Sequence, residues 1–181
     1  MKVYLFLTDG FEEIEAICVV DILRRAGIDA VTVSITGKKA VTGSHNIKIE
    51  ADHLMEECDF KDGAMLVIPG GPGAGNFSEH SRFIDLLNKY SSEDKWIASI
   101  CAAPTILGKI GLLKDKKAVC YPGMECDLKG AKVDMSSRVV VDGKFITSRG
   151  PGTTFDFALQ IVERLAGNSA VKSLKEKMLI L

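Results

Sequence analysis

The chain alternates short apolar runs with amphipathic stretches along most of its length. Val3–Leu7 and Ala64–Ile68 are continuous apolar runs, the pattern of central parallel strands buried on both faces. Ala30–Ile35 and Trp96–Ile100 read as two more strands of this kind. After the polar corner Thr8-Asp9-Gly10, Ile14, Cys18, Ile22 and Leu23 recur near helical spacing. They predict a helix from about Phe11 to Ala26, with Gly27 as its stop. Thr42–Asp52 sets Ile47 and Ile49 against Asn46, Lys48 and Glu50, which predicts an excursion of short strands. A Gly-rich loop, Gly70–Gly75, follows the Ala64–Ile68 strand, and a helix near Glu79–Tyr90 leads to Trp96. Further on, Ala118–Tyr121 reads as a strand, and Arg138–Asp142 with Phe145–Ser148 reads as a hairpin turning at Asp142-Gly143. Thr153–Ala166 carries Phe155, Leu159, Val162 and Leu165 in a helical pattern, and Val171, Leu174, Met178 and Leu181 predict a last helix docking one face.

Strands alternating with helices argue for an α/β fold with a doubly wound, mostly parallel sheet. With no linker, repeat or low-complexity stretch, residues 1–181 read as a single domain. Ligands of such sheets bind outside the carboxyl ends of the strands. The ends after Leu7, Ile68 and Ile100 lead to Glu15, to Gly70-Gly71 and to Cys101, so three signals converge on one edge.

Composition excludes several function classes. The 181 residues are 46% hydrophobic and 26% charged, ordinary for a globular protein with a core of its own. A formal net charge of −1 without a basic run gives no support to a nucleic-acid partner. No apolar stretch approaches the ~20 residues of a membrane span, and no signal-peptide pattern precedes the first strand. The five cysteines are odd in number and scattered, which fits reduced thiols in a cytoplasm. A metal site is not expected, because no close CxxC pair exists and all three histidines precede Cys101.

The densest chemistry lies at Cys101. The strand Trp96–Ile100 runs straight into it, and Pro104 fits only the first turn of a helix that follows. Cys101 therefore sits on an abrupt strand-to-helix corner with the geometry of a nucleophile elbow. The helix N-terminus is expected to lower the thiol pKa and populate the thiolate. The plainer alternative is a structural cysteine packed at a strand end.

Four segments carry a family resemblance: Asp9–Glu15 after the first strand, Val67–Gly71, the Ser99–Pro104 corner, and Thr147–Thr153 with its SRGPGT run. In order and spacing they resemble the DJ-1/ThiJ/PfpI family, and within it the DJ-1-like branch. The resemblance implies a flavodoxin-like α/β sandwich of three layers, related to the class I glutamine amidotransferases, and a homodimer. It implies that Glu15 lies beside the nucleophile, as a carboxylic acid of raised pKa able to donate to a thiolate or shuttle a proton. It makes the Gly71 and Ala102 N–H groups the two arms of an oxyanion hole. Gly70, Tyr121 and Arg149 are candidate lining residues; Arg149 could meet an anion or simply build its loop.

Departures from the family's other branches narrow the chemistry. The peptidases place a histidine directly after the cysteine, where Ala102 stands here. The glutaminases place one well downstream, yet no histidine follows His80. Some DJ-1-branch members carry a His-Pro dipeptide where this chain has Tyr121-Pro122, and a phenol does not titrate near neutrality. Cys101 and Glu15 remain as the minimal machinery. The resemblance implies glyoxalase or deglycase chemistry on methylglyoxal-like dicarbonyls or glycated proteins, with no cofactor. A rival reading is a redox-sensing or chaperone-like protein in which Cys101 is oxidised to the sulfinate.

Overall fold

The computed structural model describes residues 1–180. Strand β1 (Lys2–Leu7) leads into a π-helical turn, Ile14–Cys18, that continues as α1 (Val19–Arg25). Then come β2 (Asp29–Ser34), the short strands β3 (Ala40–Thr42), β4 (Lys48–Glu50) and β5 (His53–Leu54), and β6 (Gly63–Ile68). Helices α2 (Gly75–Glu79) and α3 (Ser81–Ser92) precede β7 (Trp96–Ile100) and α4 (Pro104–Lys109). After the two-residue strands β8 (Lys117–Ala118) and β9 (Lys132–Val133), the hairpin β10 (Val139–Asp142) and β11 (Phe145–Ser148) leads to α5 (Thr154–Met178).

The main sheet has seven strands in the order β10-β11-β7-β6-β1-β2-β5. All neighbours in it pair in parallel except β10 with β11. Helices cover both faces, making a flavodoxin-like three-layer sandwich. The alternation of β1 shows why its sequence is apolar throughout. Val3, Leu5 and Leu7 enter one core with Val19, Ile22, Phe157 and Ile161, whereas Tyr4 and Phe6 enter the other with Phe83, Leu87 and Ile106. Burying each such side chain contributes roughly 2 kcal/mol.

Several predicted boundaries move, each for a local reason. The first helix begins later than Phe11, because residues 10–12 are held in loop contacts. Gly10 N–H donates to Thr42 O at 2.7 Å and Glu12 N–H to Gly70 O at 3.0 Å. The helix expected near Glu79–Tyr90 is α3, two residues later at each end, with a separate short helix, α2, before it; His80 Nδ1 accepts from Phe83 N–H at 3.3 Å and caps α3. The strand expected over Ala118–Tyr121 stops after Ala118, because the following N–H groups turn to other acceptors. Val119 N–H reaches Thr147 Oγ1 at 3.0 Å and Tyr121 N–H reaches Cys101 O at 2.8 Å. The two C-terminal helices form one run interrupted at Gly167, whose φ of 81° breaks the helical path. Phe155, expected in the core pattern, is 47% exposed, while Phe157, Ala158 and Ile161 point inward. Leu181, assigned to that last helix, lies outside the described residues.

Candidate active site

Three strand ends build the site. At the end of β7, Cys101 takes φ of 65°, a left-handed conformation that costs a non-glycine residue of order 1–2 kcal/mol. Two backbone hydrogen bonds hold it there. Its own N–H donates to Ser148 O at 2.9 Å, and its carbonyl accepts from Tyr121 N–H at 2.8 Å. The thiol is almost covered, with Cys101 8% exposed. It reaches the surface through a cavity of about 710 Å³ walled in part by Ile14, Pro72, Ala102, Ile106, Tyr121 and Met124.

At the end of β6, Gly70 and Gly71 bring backbone up to the thiol. A Cβ at Gly70 would stand 2.7 Å from Cys101 Cβ, 2.9 Å from Ala102 N and 2.9 Å from Glu15 Oε2. Glycine is therefore what lets these three residues close around one point. Gly71 has φ of 102°, and a Cβ there would stand 2.4 Å from Gly10 O and 2.6 Å from Glu12 N. The N–H groups of Gly71 and Ala102 face the sulfur and favour its anionic form.

The end of β1 supplies the acid. The π turn carries Glu15 inward until it is fully buried. Oε2 accepts from Gly70 N–H at 2.7 Å, and Oε1 has no hydrogen-bond partner. Burial pushes the Glu15 carboxyl up to about 7, against the opposing pull of the Gly70 N–H and the Cys101 thiol, with the Glu12 charge adding to the rise.

The thiol does not follow the expectation drawn from the helix N-terminus. Burial, with the charge and hydrogen bonding of Glu15, pushes Cys101 up to about 12, although the Gly71 and Ala102 N–H groups pull the other way. Helix α4 spans six residues, and its dipole does not outweigh a buried carboxylate next to the sulfur. The two groups titrate as a pair that holds one negative charge readily and two with difficulty.

Cys101, Glu15, Gly70, Gly71 and Ala102 thus come together. Tyr121 is on the cavity wall, 48% exposed. A Cβ at Gly150 would stand 3.3 Å from its Cδ2 and 4.0 Å from Cys101 Sγ, so ring and thiol flank the same backbone. Arg149 is not among the cavity's lining residues, and its charge acts instead on Cys120 and Glu125. Of the two cysteines flanking the Tyr121-Pro122 turn, Cys120 is buried and Cys126 exposed.

Sequence reasoning missed His45, which lines the same cavity at its mouth. Its Nδ1 meets Glu13 Oε2 at 2.8 Å, and its backbone N–H donates to Glu13 Oε1 at 2.7 Å. Burial alone would raise the Glu13 carboxyl, but these bonds and the Ser44 hydroxyl outweigh it and hold Glu13 down at about 2. The ligating atoms of Glu12, Glu13 and His45 lie within 4.8 Å of one another. The partners are 32 positions apart, and no motif in the chain announces the pairing.

A thiol on a strained strand-to-helix corner, with a buried acid beneath and two N–H donors beside it, defines a nucleophile-elbow cysteine protein on a flavodoxin-like sandwich. The description "DJ-1/PfpI family" matches residues 1–164, and the chain belongs to that family, in its DJ-1-like branch. The crystal structure of Drosophila melanogaster DJ-1beta superposes with a TM-score of 0.96 at 37% identity, covering 99% of this chain and 98% of that one. The glutathione-independent glyoxalase DJR-1.2 of Caenorhabditis elegans is 32% identical over 163 residues, 90% of this chain and 87% of the relative. The Arabidopsis thaliana protein DJ-1 homolog B is 36% identical over 176 residues, and this chain spans 96% of itself but 40% of that longer relative. Among the described residues, no helix is long and apolar enough to cross a membrane.

Proposed function

We propose that this protein is a cysteine-dependent enzyme of glyoxalase or deglycase type, acting on methylglyoxal-like dicarbonyls or on protein adducts they form. One observation carries the reading. A thiol, a fully buried carboxyl titrating near neutrality and two backbone donors meet at a single point open to a cavity. The glyoxalase named among its relatives supports the same direction. As Cys101 Sγ adds to the aldehyde carbon, the Glu15 carboxylate takes the thiol proton and the carbonyl electron pair moves to oxygen. The Gly71 and Ala102 N–H groups hold that oxyanion until Glu15 returns the proton to it. The carboxylate then removes the hydrogen from the former aldehyde carbon and delivers it to the neighbouring carbon, while the hydroxyl proton passes from the first oxygen to the second, giving a 2-hydroxy thioester. Water cleaves the carbon–sulfur bond, releasing the 2-hydroxy acid and the thiol.

The test is lactate formation from methylglyoxal at neutral pH by wild type and Cys101→Ser side by side. Lactate from wild type alone supports the mechanism. Lactate from both, or from neither, overturns it.

A second reading, oxidation sensing at Cys101, has its own support. Glu15 Oε1 is buried without a partner, and a protonated carboxyl there could donate to a sulfinate oxygen. Mass spectrometry after mild peroxide should place the added oxygens chiefly on Cys101. Oxygens spread over all five cysteines would exclude a tuned site.

The proposal includes a homodimer in a reducing, cytoplasmic setting, which fits five unpaired cysteines. Ile14 and Ile17 on the π turn and Phe155 at the start of α5 are 52%, 42% and 47% exposed, and these two elements pack together. An apolar face of this kind suits an isologous contact. Sedimentation should find a dimer in wild type and a smaller species in Ile17→Asp.

A further inference from the structure

Methylglyoxal carries one methyl beyond its reacting carbonyls, yet the cavity over Cys101 measures about 710 Å³. That volume belongs to sites for ligands of drug size. A three-carbon substrate would leave most of it to water. The lining tells what else it would hold. Each charged side chain on it is already engaged with a neighbour. His45 pairs with Glu13 at 2.8 Å, Lys109 with Asp127 at 3.1 Å, and Glu12 accepts from the Ser44 hydroxyl at 3.3 Å. The Thr105 hydroxyl is spent as well, donating to Ala102 O at 2.7 Å. No unpaired cation is left on the wall to receive a phosphate or carboxylate, and Glu12, the carboxylate least engaged, is itself buried. Apart from the small hydroxyl of Ser78, the larger side chains of the rest of the wall are apolar: Ile14, Pro72, Ile106, Met124, and the Tyr121 ring, which flanks the same Gly150 backbone as the thiol. Tyr121 is about half exposed, apolar surface outside the face proposed for the dimer that a ligand body would cover.

We infer that the preferred substrates are 2-oxoaldehydes bearing a neutral, flat apolar body, of which an aryl glyoxal is the simplest, with Tyr121 as the residue that selects for it. The inference rests on the dicarbonyl reading above and narrows it. The reacting aldehyde carbon meets Cys101 as in any smaller substrate, while the body lies against the Tyr121 ring, where offset stacking and burial both favour it.

The test compares phenylglyoxal with methylglyoxal as substrates, and mandelate with lactate, their unreactive products, as ligands measured by calorimetry. Wild type should favour the phenyl compound at least tenfold in both kcat/KM and affinity. Tyr121→Phe should keep that preference, because the ring remains, and Tyr121→Ala should lose most of it. Ratios near one in wild type, or ratios that Tyr121→Ala leaves unchanged, overturn the inference. If wild type turns over neither aldehyde, the enzymatic reading fails. The mandelate-to-lactate affinity ratio still decides whether the cavity selects an apolar body.

Discussion

Two corners a few ångströms apart solve the same geometric problem with different residues. At the end of β6 the left-handed position is Gly71, and at the end of β7 it is Cys101. Gly71 has no alternative, because a Cβ there would run into the backbone of Gly10 and Glu12. Cys101 has room for its side chain and carries the strain of holding it there. Backbone is the working part at the first corner, supplying an N–H, and the side chain is the working part at the second. Of the two corners, only the one that presents a side chain to the cavity carries this strain.

Substitutions can break or sharpen that contrast. The largest effect should come from Cys101→Ser, which removes the nucleophile and is expected to lower kcat/KM for dicarbonyls by roughly 10³-fold or more while thermal unfolding stays near wild type. Gly71→Ala should act the other way round, on the fold first. Its methyl meets rigid backbone at a positive φ, and a loss of about 3 kcal/mol is expected in denaturant unfolding.

Glu15→Gln addresses the acid that both corners enclose. Turnover should fall about 10²-fold, and an inflection of activity near pH 7 should disappear. Stability should respond as well. The folded carboxyl titrates near 7 against an ordinary value of 4.5, so the native state holds its proton longer than the unfolded chain. Wild type is therefore expected to lose stability as pH rises from about 4.5 to about 7, by on the order of 3 kcal/mol. The glutamine variant should show a flatter profile over the same window. The smallest effect separates strain from chemistry: Cys101→Gly and Cys101→Ala should both be inactive, and the glycine variant should be about 1 kcal/mol more stable.

Much of this was legible in the chain because the features were local. Val3–Leu7 reads as a doubly buried strand since both of its faces need apolar residues, and the structure uses both. The Cys101 corner is visible because a strand, a cysteine and a helix-starting proline follow one another directly. What stayed hidden depends on distant partners. The pairing of His45 with Glu13 joins a loop to the start of the first helix, two segments with no shared pattern. The rise of the thiol pKa follows from burial under the folded chain and from a carboxyl 86 positions away, against what the helix N-terminus alone suggested. Phe155 faces outward although periodicity places it with Leu159, Val162 and Leu165 on the inward face, because the buried apolar stripe of this helix begins at Phe157 and Ala158.

The π turn at Ile14–Cys18 has a consequence for how such a site could be gained or lost. A π turn is an α-helix holding one residue too many, and removing that residue restores ordinary winding. Deleting Ile14 would rotate Glu15 by about 100° about the helix axis while leaving Val19–Arg25 in register with the sheet. A loss of three nucleotides would thus take the acid away from the sulfur, at the cost of repacking Ala16, the one core side chain that the turn itself carries. Within this architecture, reactive and inert versions of the protein stand one small genetic step apart.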